Sequence, residues 1–409
     1  SQKNIKRQNY SEFGDVKYVC EPSRFYFLPF LALYNYYSKG EEQVILIERI
    51  LNDWINQNPY LRTIHWTSGI EIGIRSINLI YTHIVLSQQE KLTKSIDDAI
   101  RILIQYNYQF LKNHLSMYSS ANNHLVAELA GLVVITSYFD SNIYNASRNK
   151  WQNMLFNEIE NQVNEDGVNM ELSTHYHAEV TDHFFNALQF IKNSGDTIPS
   201  KIESKFKKMF NFLSHVEYNG NKTVFGDNDE GYLLFPYFSK KFSIYRSLLQ
   251  SSNLEYNSGF NSNNYLDLRN YLIYGEKNNE IKSIENPNSD EVFKSSGYAF
   301  LYNNCTKLSI DFGAIGDNVS AAHGHSDIFH FTLESYGVPI LIDPGTYQYH
   351  NIHKNWREYY RGVSAHNTIS INGLNQATSN SRMSWINLPK VDLLKHKINS
   401  KNSFISCVH

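Results

Sequence analysis

Cysteine is scarce in this sequence and is not arranged as a site. Cys20, Cys305 and Cys407 are the only cysteines among 409 residues, and no two of them form a CxxC pair. Neither a thiolate zinc site nor a disulfide framework is therefore indicated. The redox state of the compartment stays open on this evidence.

Long apolar runs are also missing. No stretch reaches the roughly 20 residues that a membrane-spanning helix needs, and the opening run SQKNIKRQNY lacks the apolar core of a signal peptide. We therefore expect a soluble chain without membrane insertion. A periplasmic or secreted location is expected if a signal peptide was removed before Ser1, and a cytoplasmic location if there was none.

The sequence has no large excess of charge of either sign. Its 37 basic and 40 acidic side chains give a formal net charge of −3, so no general attraction to nucleic acid or to an anionic membrane is expected. An anionic ligand must then be bound by a local site. Aromatic residues are plentiful, with 29 tyrosines and 24 phenylalanines. Most of them are explained by an aromatic core, although tyrosine can also stack on sugars and move protons.

Hydrophobic periodicity divides the chain into a helical part and a strand-rich part. With 409 residues the chain exceeds the size at which one core usually stops growing, so two domains are expected. Apolar residues recur at helical spacing in the first part, which favours a helical array or toroid over a parallel α/β sheet. The helical runs are 44–55, 69–86, 99–115 and 123–139, with others beginning near Trp151, Ala178 and Lys201.

A segment rich in Asn and Ser separates the two parts. Residues 251–290 indicate a linker or loops, and we place the domain boundary near residue 280, between domains at 1–280 and 281–409. The short runs that follow predict an antiparallel β-sandwich, so the fold class is α+β and multidomain. Because the chain ends at His409 in strand-like sequence, we expect the β-domain to continue beyond it. The predicted strand runs are GYAFLYNN, KLSIDFG, DIFHFTLESYGVPILIDPG, TISING and SFISCV.

Three polar clusters in the strand-rich part, AAHGHSD, LIDPGTY and SAHN, indicate a functional site. In an extended strand His323 and His325 would project from one face, so that one could bind a metal and the other do chemistry beside it. Asp343 and His366 could complete the metal shell. His325, Asp343 and His366 would give zinc three protein ligands and leave one position open. The alternative is that all four are ordinary polar loop residues.

The sequence resembles the heparinase II/III family of polysaccharide lyases, which includes related alginate and oligoalginate lyases. The matching segments run in order from residue 65 to residue 373, and together with the change from helical to strand pattern they are specific to the family. They are HWTSGIEIGIRSINLI, ANNHLVAELAGL, DGVNMELSTHYHAEVTDHF, FGDNDEG, AAHGHSD, LIDPGTYQY and YYRGVSAHNTISING. The resemblance implies a helical toroid followed by a β-sandwich, with the active site between them.

The resemblance also implies β-elimination beside a uronic acid. This reaction needs a group that neutralises the C5 carboxylate, a base for the C5 proton and an acid for the departing oxygen. Asn123 matches the family position whose amide holds the carboxylate, and His124 beside it could assist. On the residues alone, Asn122 could equally be a helix cap, with Asn123 and His124 as polar residues of the first turn.

Tyr176 and His323 match the family's catalytic tyrosine and histidine. We assign Tyr176 as the acid, and His323 or the same tyrosine as the base, because neutral imidazole can accept a proton near physiological pH. Tyrosine would need a depressed pKa to act as a base. The sequence leaves this division open.

Further candidates surround these residues. Tyr360 aligns with a second active-site tyrosine of oligoalginate lyases, although neighbouring Tyr359 could be the equivalent. Arg357 and Arg361 could bind an anionic sugar, or could instead pair with Glu358 or another local acid. The full set of substrate-binding candidates is His124, His177, Glu171, Arg357 and Arg361.

The metal set carried over from the family is His325, Asp343 and His366. We expect zinc there to hold the sheet loops beside the cleft, and not to activate water, because organic acid and base candidates are already present. Asp227 and Asp229 in FGDNDEG suggest a calcium or sugar-binding loop, but the spacing is not that of an EF-hand and favours a capped turn.

Two other function classes stay open at this point. A glycoside hydrolase could use paired carboxylates, for example Glu171 and Asp227, on the same helical toroid. A nonenzymatic protein could bind or assemble polysaccharide in the same groove. For a lyase, heparan-like glycosaminoglycans, alginate and bacterial exopolysaccharides are all candidate substrates, because each contains uronates.

Overall fold

Helices fill the first part of the chain and antiparallel strands the last part. The computed structural model describes residues 16–38, 40–118, 120–218, 220–235, 242–260, 267–275, 289–303, 305–317, 320–349, 356–398 and 402–409. The helices are α1 (Lys17–Cys20), α2 (Leu28–Ser38), α3 (Glu42–Gln57), α4 (Gly69–Gln88), α5 (Lys94–Asn113), α6 (Asn123–Tyr138), α7 (Asn142–Gln162), α8 (Thr174–Asn193), α9 (Ser200–Val216), α10 (Ile244–Tyr256), α11 (Leu268–Tyr274) and α12 (Trp356–Tyr360).

Helices α4, α6 and α8 form the centre of the helical part. Nearly all of their residues are buried, as expected for helices that pack against neighbours on several sides. Gly73 of α4 and Gly131 of α6 allow the two backbones to touch, because a Cβ atom at Gly73 would lie 2.4 Å from the carbonyl oxygen of Ala127. This close packing fixes α6 against α4, and the first turn of α6 carries site residues. Across the described residues, no helix has both the length and the apolar character needed to cross a membrane.

The strands form one larger sheet and several hairpins. The five-stranded antiparallel sheet has the order β3-β4-β5-β6-β7, so each strand pairs with its neighbour in sequence. Residues Tyr298–Asn303 pair with the antiparallel residues Thr306–Asp311 and contribute Tyr298 and Phe300 to the main core, against the helices. The strands are β1 (Glu217–Tyr218), β2 (Asn221–Lys222), β3 (Glu291–Phe293), β4 (Tyr298–Asn303), β5 (Thr306–Asp311), β6 (Phe331–Ser335), β7 (Val338–Leu341), β8 (Thr378–Ser381), β9 (Ser384–Ile386), β10 (Asp392–Lys397) and β11 (Phe404–Val408).

The predicted fold class, a helical toroid followed by an antiparallel β-sandwich, is confirmed, but two local predictions are wrong. The segment 251–290 is not all linker, because α10 extends into it and α11 lies within it. Asp267 caps α11, and buried Arg269 binds Asp182 of α8, which attaches the segment to the core. The TISING run forms only an isolated bridge between Ile371 and Leu374. The predicted boundary near residue 280 lies outside the described residues, so it stays a prediction.

A buried carboxyl group in α6 predicts a measurable dependence of stability on pH. Glu128 is 1% exposed and accepts hydrogen bonds from the backbone and the hydroxyl of Ser116. Burial raises the pKa of Glu128 to about 7, and these hydrogen bonds only partly oppose it. The folded state holds the Glu128 proton more tightly than the unfolded state does. The protonated carboxyl group therefore makes its full contribution to stability at acid pH, and this contribution is lost as the pH rises through 7.

Glu128→Gln should therefore remove this dependence. Between pH 4.5 and pH 8 the wild type should lose about 3 kcal/mol of unfolding free energy relative to the variant. Urea denaturation at several pH values measures this difference. Glu165→Gln, at a side chain that is 88% exposed, is the matched control and should parallel the wild type. A constant difference between wild type and Glu128→Gln across this range would contradict the prediction.

Candidate active site

Asp227 joins the helical part of the site to the sheet part. It follows β2 and is fully buried. Arg357 donates to both carboxylate oxygens, and His325 Nε2 donates to Oδ1 at 2.8 Å. His323 Nδ1 donates to Oδ2 at 3.2 Å, and the Thr346 hydroxyl to Oδ1 at 3.2 Å. Burial raises the pKa of Asp227, but the charge of Arg357 and the two histidines outweigh it and hold the pKa well below its usual range.

The two histidines lie on a loop, so the predicted strand is wrong here. Residues 321–330 contain no strand, and alternating side chains do not share a pleated face. His323 and His325 converge because both bind Asp227, whose backbone N–H also donates to the His323 carbonyl at 3.0 Å. Gly226 permits this approach, since its φ is +67° and a Cβ atom there would lie 2.8 Å from the His323 carbonyl oxygen.

Tyr176 lies against His323 in the first turn of α8. Ser173 caps the helix by accepting the Tyr176 N–H, and its hydroxyl donates to the Asp227 carbonyl at 2.6 Å. The Tyr176 and His323 rings stack with centroids 3.7 Å apart, and the Tyr176 hydroxyl lies 3.0 Å from the Tyr349 hydroxyl. Burial, followed by the charge of Asp229, raises the pKa of Tyr176 well above 10. The phenol therefore holds its proton across the physiological range.

Asn123 is held on the other side of His323 through Glu171. The Asn123 backbone N–H and Nδ2 donate to the two Glu171 oxygens, each at 2.8 Å, and His323 Nε2 lies 3.4 Å from Glu171 Oε2. Asn122 caps α6 and accepts the N–H of His124, so the cap interpretation is confirmed for Asn122. Burial raises the pKa of Glu171, although the charge of His323 opposes this.

The pKa values of His124 and His323 are shifted in opposite directions. Burial and the charge of His323 lower the pKa of His124, which favours the neutral imidazole. Burial also lowers the pKa of His323, but the hydrogen bond to Asp227 and the charge of Glu171 outweigh it, and the pKa is raised overall. The site thus combines a neutral amide, a neutral phenol and a histidine placed between two carboxyl groups.

A second cluster of buried side chains lies next to His325. His366 Nδ1 is 2.8 Å from Asp343 Oδ2, and the rings of His325 and His366 have centroids 5.1 Å apart. Ligand atoms of His325, Asp327 and His366 lie within 4.8 Å of one another, as do those of His330, Asp343 and His366. The structure therefore brings the three predicted metal-binding residues into one cluster with Asp327 and His330.

The hydrogen bonds around this cluster fit a bound metal ion. His325 Nδ1, His366 Nε2 and Asp327 Oδ2 are buried, and none has a hydrogen-bond partner among the described residues. His330 fits poorly as a ligand because its Nδ1 accepts the Asn367 N–H at 2.9 Å. Its Nε2 then carries the proton and faces Asp343 Oδ2 at 3.2 Å. The available donors are imidazole nitrogen and carboxylate oxygen, the set that suits zinc.

The structure contradicts several predicted substrate contacts. His177 is fully buried, and both of its ring nitrogens bond to backbone groups, the N–H of Asn169 and the carbonyl of Met209. Arg357 is committed to Asp227. Arg361 is fully buried, donates to Glu358 and stacks over Trp385, so it forms the local ion pair of the predicted alternative, whereas Arg357 pairs with an acid 130 residues away. None of the three can reach a sugar without breaking these contacts.

Two further predictions also need correction. Glu171 is fully buried against Asn123, so it orients the amide and does not contact substrate. Tyr360 stacks on Tyr347, with centroids 5.1 Å apart, and the hydroxyl group next to Tyr176 belongs to Tyr349. The segment LIDPGTYQY contains both Tyr347 and Tyr349, and nothing in its sequence pattern distinguishes the two. The capped turn predicted for Asp227 and Asp229 fits Asp229, which accepts the Gly231 N–H at 2.8 Å.

Family models match both parts of the chain. Residues 10–264 match the heparinase II/III N-terminus, and residues 285–409 match the heparinase II/III-like C-terminal region. The chain belongs to the heparinase II/III family. Within this family, a heparin-sulfate lyase of Bacteroides thetaiotaomicron is 25% identical over 272 residues, which are 62% of this chain and 37% of that protein. The chain thus matches little more than a third of that relative's length.

Solved heparinase structures share the fold. A crystal structure of heparinase III superposes with a TM-score of 0.68 and 18% identity, covering 92% of this chain and 56% of that one. The heparan sulfate lyase HepC from Pedobacter heparinus gives a TM-score of 0.63 and 17% identity, with 96% of this chain and 58% of that one covered. At these identities the likeness establishes the heparinase fold for this chain.

Proposed function

We propose that this heparinase II/III family chain is a polysaccharide lyase that cleaves beside a uronic acid by β-elimination. The observation that carries the proposal is the stacking of Tyr176 on His323, whose Nε2 faces the same Glu171 oxygen that holds the Asn123 amide. An amide donor, an imidazole and a protonated phenol are thereby collected in one place. These are the three groups that the elimination requires.

In the proposed reaction Asn123 donates to the C5 carboxylate and stabilises the negative charge that develops there. His323, in the neutral tautomer that donates Nδ1–H to Asp227, takes the C5 proton at Nε2, and the electron pair of that C–H bond forms the C4–C5 double bond. The C4–O bond breaks, and the departing oxygen takes the phenolic proton of Tyr176. The raised pKa of Tyr176 supports this division of roles, because a phenol that retains its proton is suited to act as the acid.

Glu171 and Asp227 act as positioning residues in this proposal. Glu171 fixes the Asn123 amide through two hydrogen bonds, and Asp227 fixes the His323 ring through Nδ1. A raised pKa at buried Glu171 limits the negative charge that would otherwise repel the substrate carboxylate. His124, neutral and only partly buried, is available for a hydrogen bond to the sugar.

The same geometry argues against a glycoside hydrolase that uses Glu171 and Asp227. A hydrolytic acid needs a carboxyl group that keeps its proton and reaches the glycosidic oxygen. Asp227 is fully buried, bound by Arg357, and its pKa is held low. Neither carboxyl group is free to attack or to protonate a sugar.

A glycosaminoglycan of the heparin and heparan sulfate class is the proposed substrate. The name of the Bacteroides relative, a heparin-sulfate lyase, supports this choice. The test is ultraviolet absorbance during incubation with heparan sulfate, chondroitin, hyaluronan, alginate and acidic bacterial exopolysaccharides. A rise with heparan sulfate is expected, because elimination produces a conjugated unsaturated uronate. New reducing ends without absorbance would indicate a hydrolase, and glycan binding without either signal would indicate a binding protein.

Zinc is the proposed occupant of the cluster at His325, Asp343 and His366. The unpartnered ring nitrogens of His325 and His366 support this assignment, together with the unpartnered Asp327 oxygen beside them, whereas Asp343 bonds to His366 Nδ1. Bound there, zinc would supply structural cross-linking between the loop of His325 and the loops of Asp343 and His366. Since His325 also donates to Asp227, ordering this loop would help to hold His323 in place.

Substitution of one ligand should release this metal. His366→Ala should lower zinc bound per chain by about one equivalent, measured by elemental analysis after dialysis against zinc-free buffer. His396→Ala, at a half-buried position of β10, is the control and should keep the full zinc content. Equal zinc content in His366→Ala and wild type would rule out this ligand set.

A further inference from the structure

Helix α8 carries a row of buried polar side chains that the proposed reaction does not use. His175, Glu179 and His183 follow one another at a spacing of four residues, which places them along one face of the helix. Their exposed fractions are 2%, 5% and 0%. Buried charged and imidazole groups are costly unless they have partners, so this row calls for an explanation.

A carboxylate from outside the helix completes a compact group. Asp229 Oδ1 lies 3.3 Å from His175 Nε2. One ligand atom from each of His175, Glu179 and Asp229 lies within 4.8 Å of the others. Asp229 is fixed by the N–H of Gly231 at 2.8 Å and by Lys17 at 3.1 Å. The three groups therefore converge from two separate segments of the chain.

One facing atom of this group has no hydrogen bond, and another is held only by a long contact. Glu179 Oε2 is buried and has no hydrogen-bond partner within the described part of the chain. His175 Nε2 is buried, and its polar neighbour is Asp229 Oδ1 at 3.3 Å. The ion pair recorded for Glu179 is with His183, at 3.8 Å. Nearby Arg24 is bound through two nitrogens to Glu71. Glu179 thus presents an oxygen toward His175 and Asp229, while two of the Arg24 nitrogens are already occupied by Glu71.

We propose that His175, Glu179 and Asp229 bind a divalent transition-metal cation at a second site, separate from that of His325, Asp343 and His366. One imidazole nitrogen and two carboxylate oxygens form a donor set for Mn²⁺, Co²⁺ or Zn²⁺, whereas Ca²⁺ and Mg²⁺ prefer oxygen alone. Three protein ligands leave positions for water or for an oxygen of the substrate. His183 lies one turn further along the helix, with its Nε2 3.8 Å from Glu179 Oε1.

The position of this site suggests what the cation does. Its ligand His175 adjoins Tyr176 in sequence, and their rings pack edge to face with centroids 5.8 Å apart. A dication there would place positive charge beside Tyr176. It would also tie the loop of Asp229 to α8, and with it the preceding turn that contains Asp227. This inference does not depend on the proposed lyase activity.

Metal binding by Glu179→Gln tests the site directly. The full chain, stripped with a chelator, is dialysed against Co²⁺, and bound metal and visible absorption bands are measured. Wild type should bind about two ions, and Glu179→Gln or His366→Ala about one each, whereas the double variant should bind essentially none. Glu160→Gln, on an exposed side chain of α7, is the matched control. The comparison of His366→Ala with the double variant reports the second site alone, even if the first site fails.

Two further measurements distinguish the loss of a metal ligand in Glu179→Gln from unfolding of the variant. Circular dichroism shows whether Glu179→Gln keeps its helices, and His175→Gln provides an independent removal of one ligand. In the His366→Ala background, Co²⁺ should raise the melting temperature, and Glu179→Gln should abolish that rise. If Glu179→Gln and His175→Gln both bind as much Co²⁺ as their parent, the proposal is wrong.

Discussion

Tyr176→Phe should lower turnover of the uronate substrate by about a hundredfold or more while leaving polysaccharide binding nearly unchanged. The substitution removes only the hydroxyl group that would protonate the departing oxygen, and it keeps the ring that stacks on His323. Initial rates of ultraviolet absorbance measure turnover. Binding is measured separately, by calorimetry with the variant and intact substrate.

The hydroxyl next to Tyr176 provides an internal comparison. Tyr349→Phe removes the partner 3.0 Å from the Tyr176 hydroxyl but leaves the proton donor in place, so a smaller loss is expected. Tyr118→Phe, at a side chain that is 89% exposed, is the matched control and should retain wild-type rates. Turnover by Tyr176→Phe within a factor of a few of wild type would remove this residue from the mechanism.

Asp227→Asn should destabilise the fold by about 3–5 kcal/mol, because it leaves Arg357 buried without a counter-charge. Arg357 is 3% exposed and binds both oxygens of the carboxylate. The same change weakens the hydrogen bonds that orient His323 and His325. Turnover should therefore fall with stability, and it should stay low at temperatures where the variant is fully folded. Urea denaturation and absorbance assays measure the two effects.

A double variant separates the effect of the uncompensated Arg357 charge from the effect of losing the other hydrogen bonds of Asp227. Asp227→Asn with Arg357→Gln should recover part of the lost unfolding free energy, because the uncompensated charge is gone, but it should not recover turnover. Asp98→Asn, on an exposed position of α5, is the matched control and should change neither quantity appreciably. A loss below about 1 kcal/mol in Asp227→Asn would mean that the carboxylate is not the centre of this network.

The sequence predicted that His323 and His325 lie close together, and they do, because short spacing in the chain is enough to bring both to Asp227. His323 and His325 are two residues apart, and short spacing keeps them together in a loop as well as in a strand. The Asn122 cap likewise depends on neighbouring residues, since its side chain accepts an N–H two residues later. Residues that act through such local geometry are visible in a pattern of a few letters.

Long-range partners were missed for the same physical reason. The Tyr349 hydroxyl reaches Tyr176 across 173 residues, and Arg357 reaches Asp227 across 130. Tyr349 and Tyr347 are indistinguishable by sequence pattern, yet the fold turns one toward Tyr176 and stacks the other on Tyr360. His177 was a candidate for substrate binding by residue type, but its place in α8 directs it into the core.

By itself, the sequence determined the order of helices and strands, the family resemblance and the identity of the chemical groups. Periodicity and local spacing carry that information, because they depend on residues close together in the chain. Only the tertiary structure decided which groups meet. It assigned Arg357 and Arg361 to buried ion pairs, Glu171 to Asn123, and His175 and Glu179 to Asp229. Those assignments depend on how distant segments pack, and packing selects partners by shape and burial that no local pattern records.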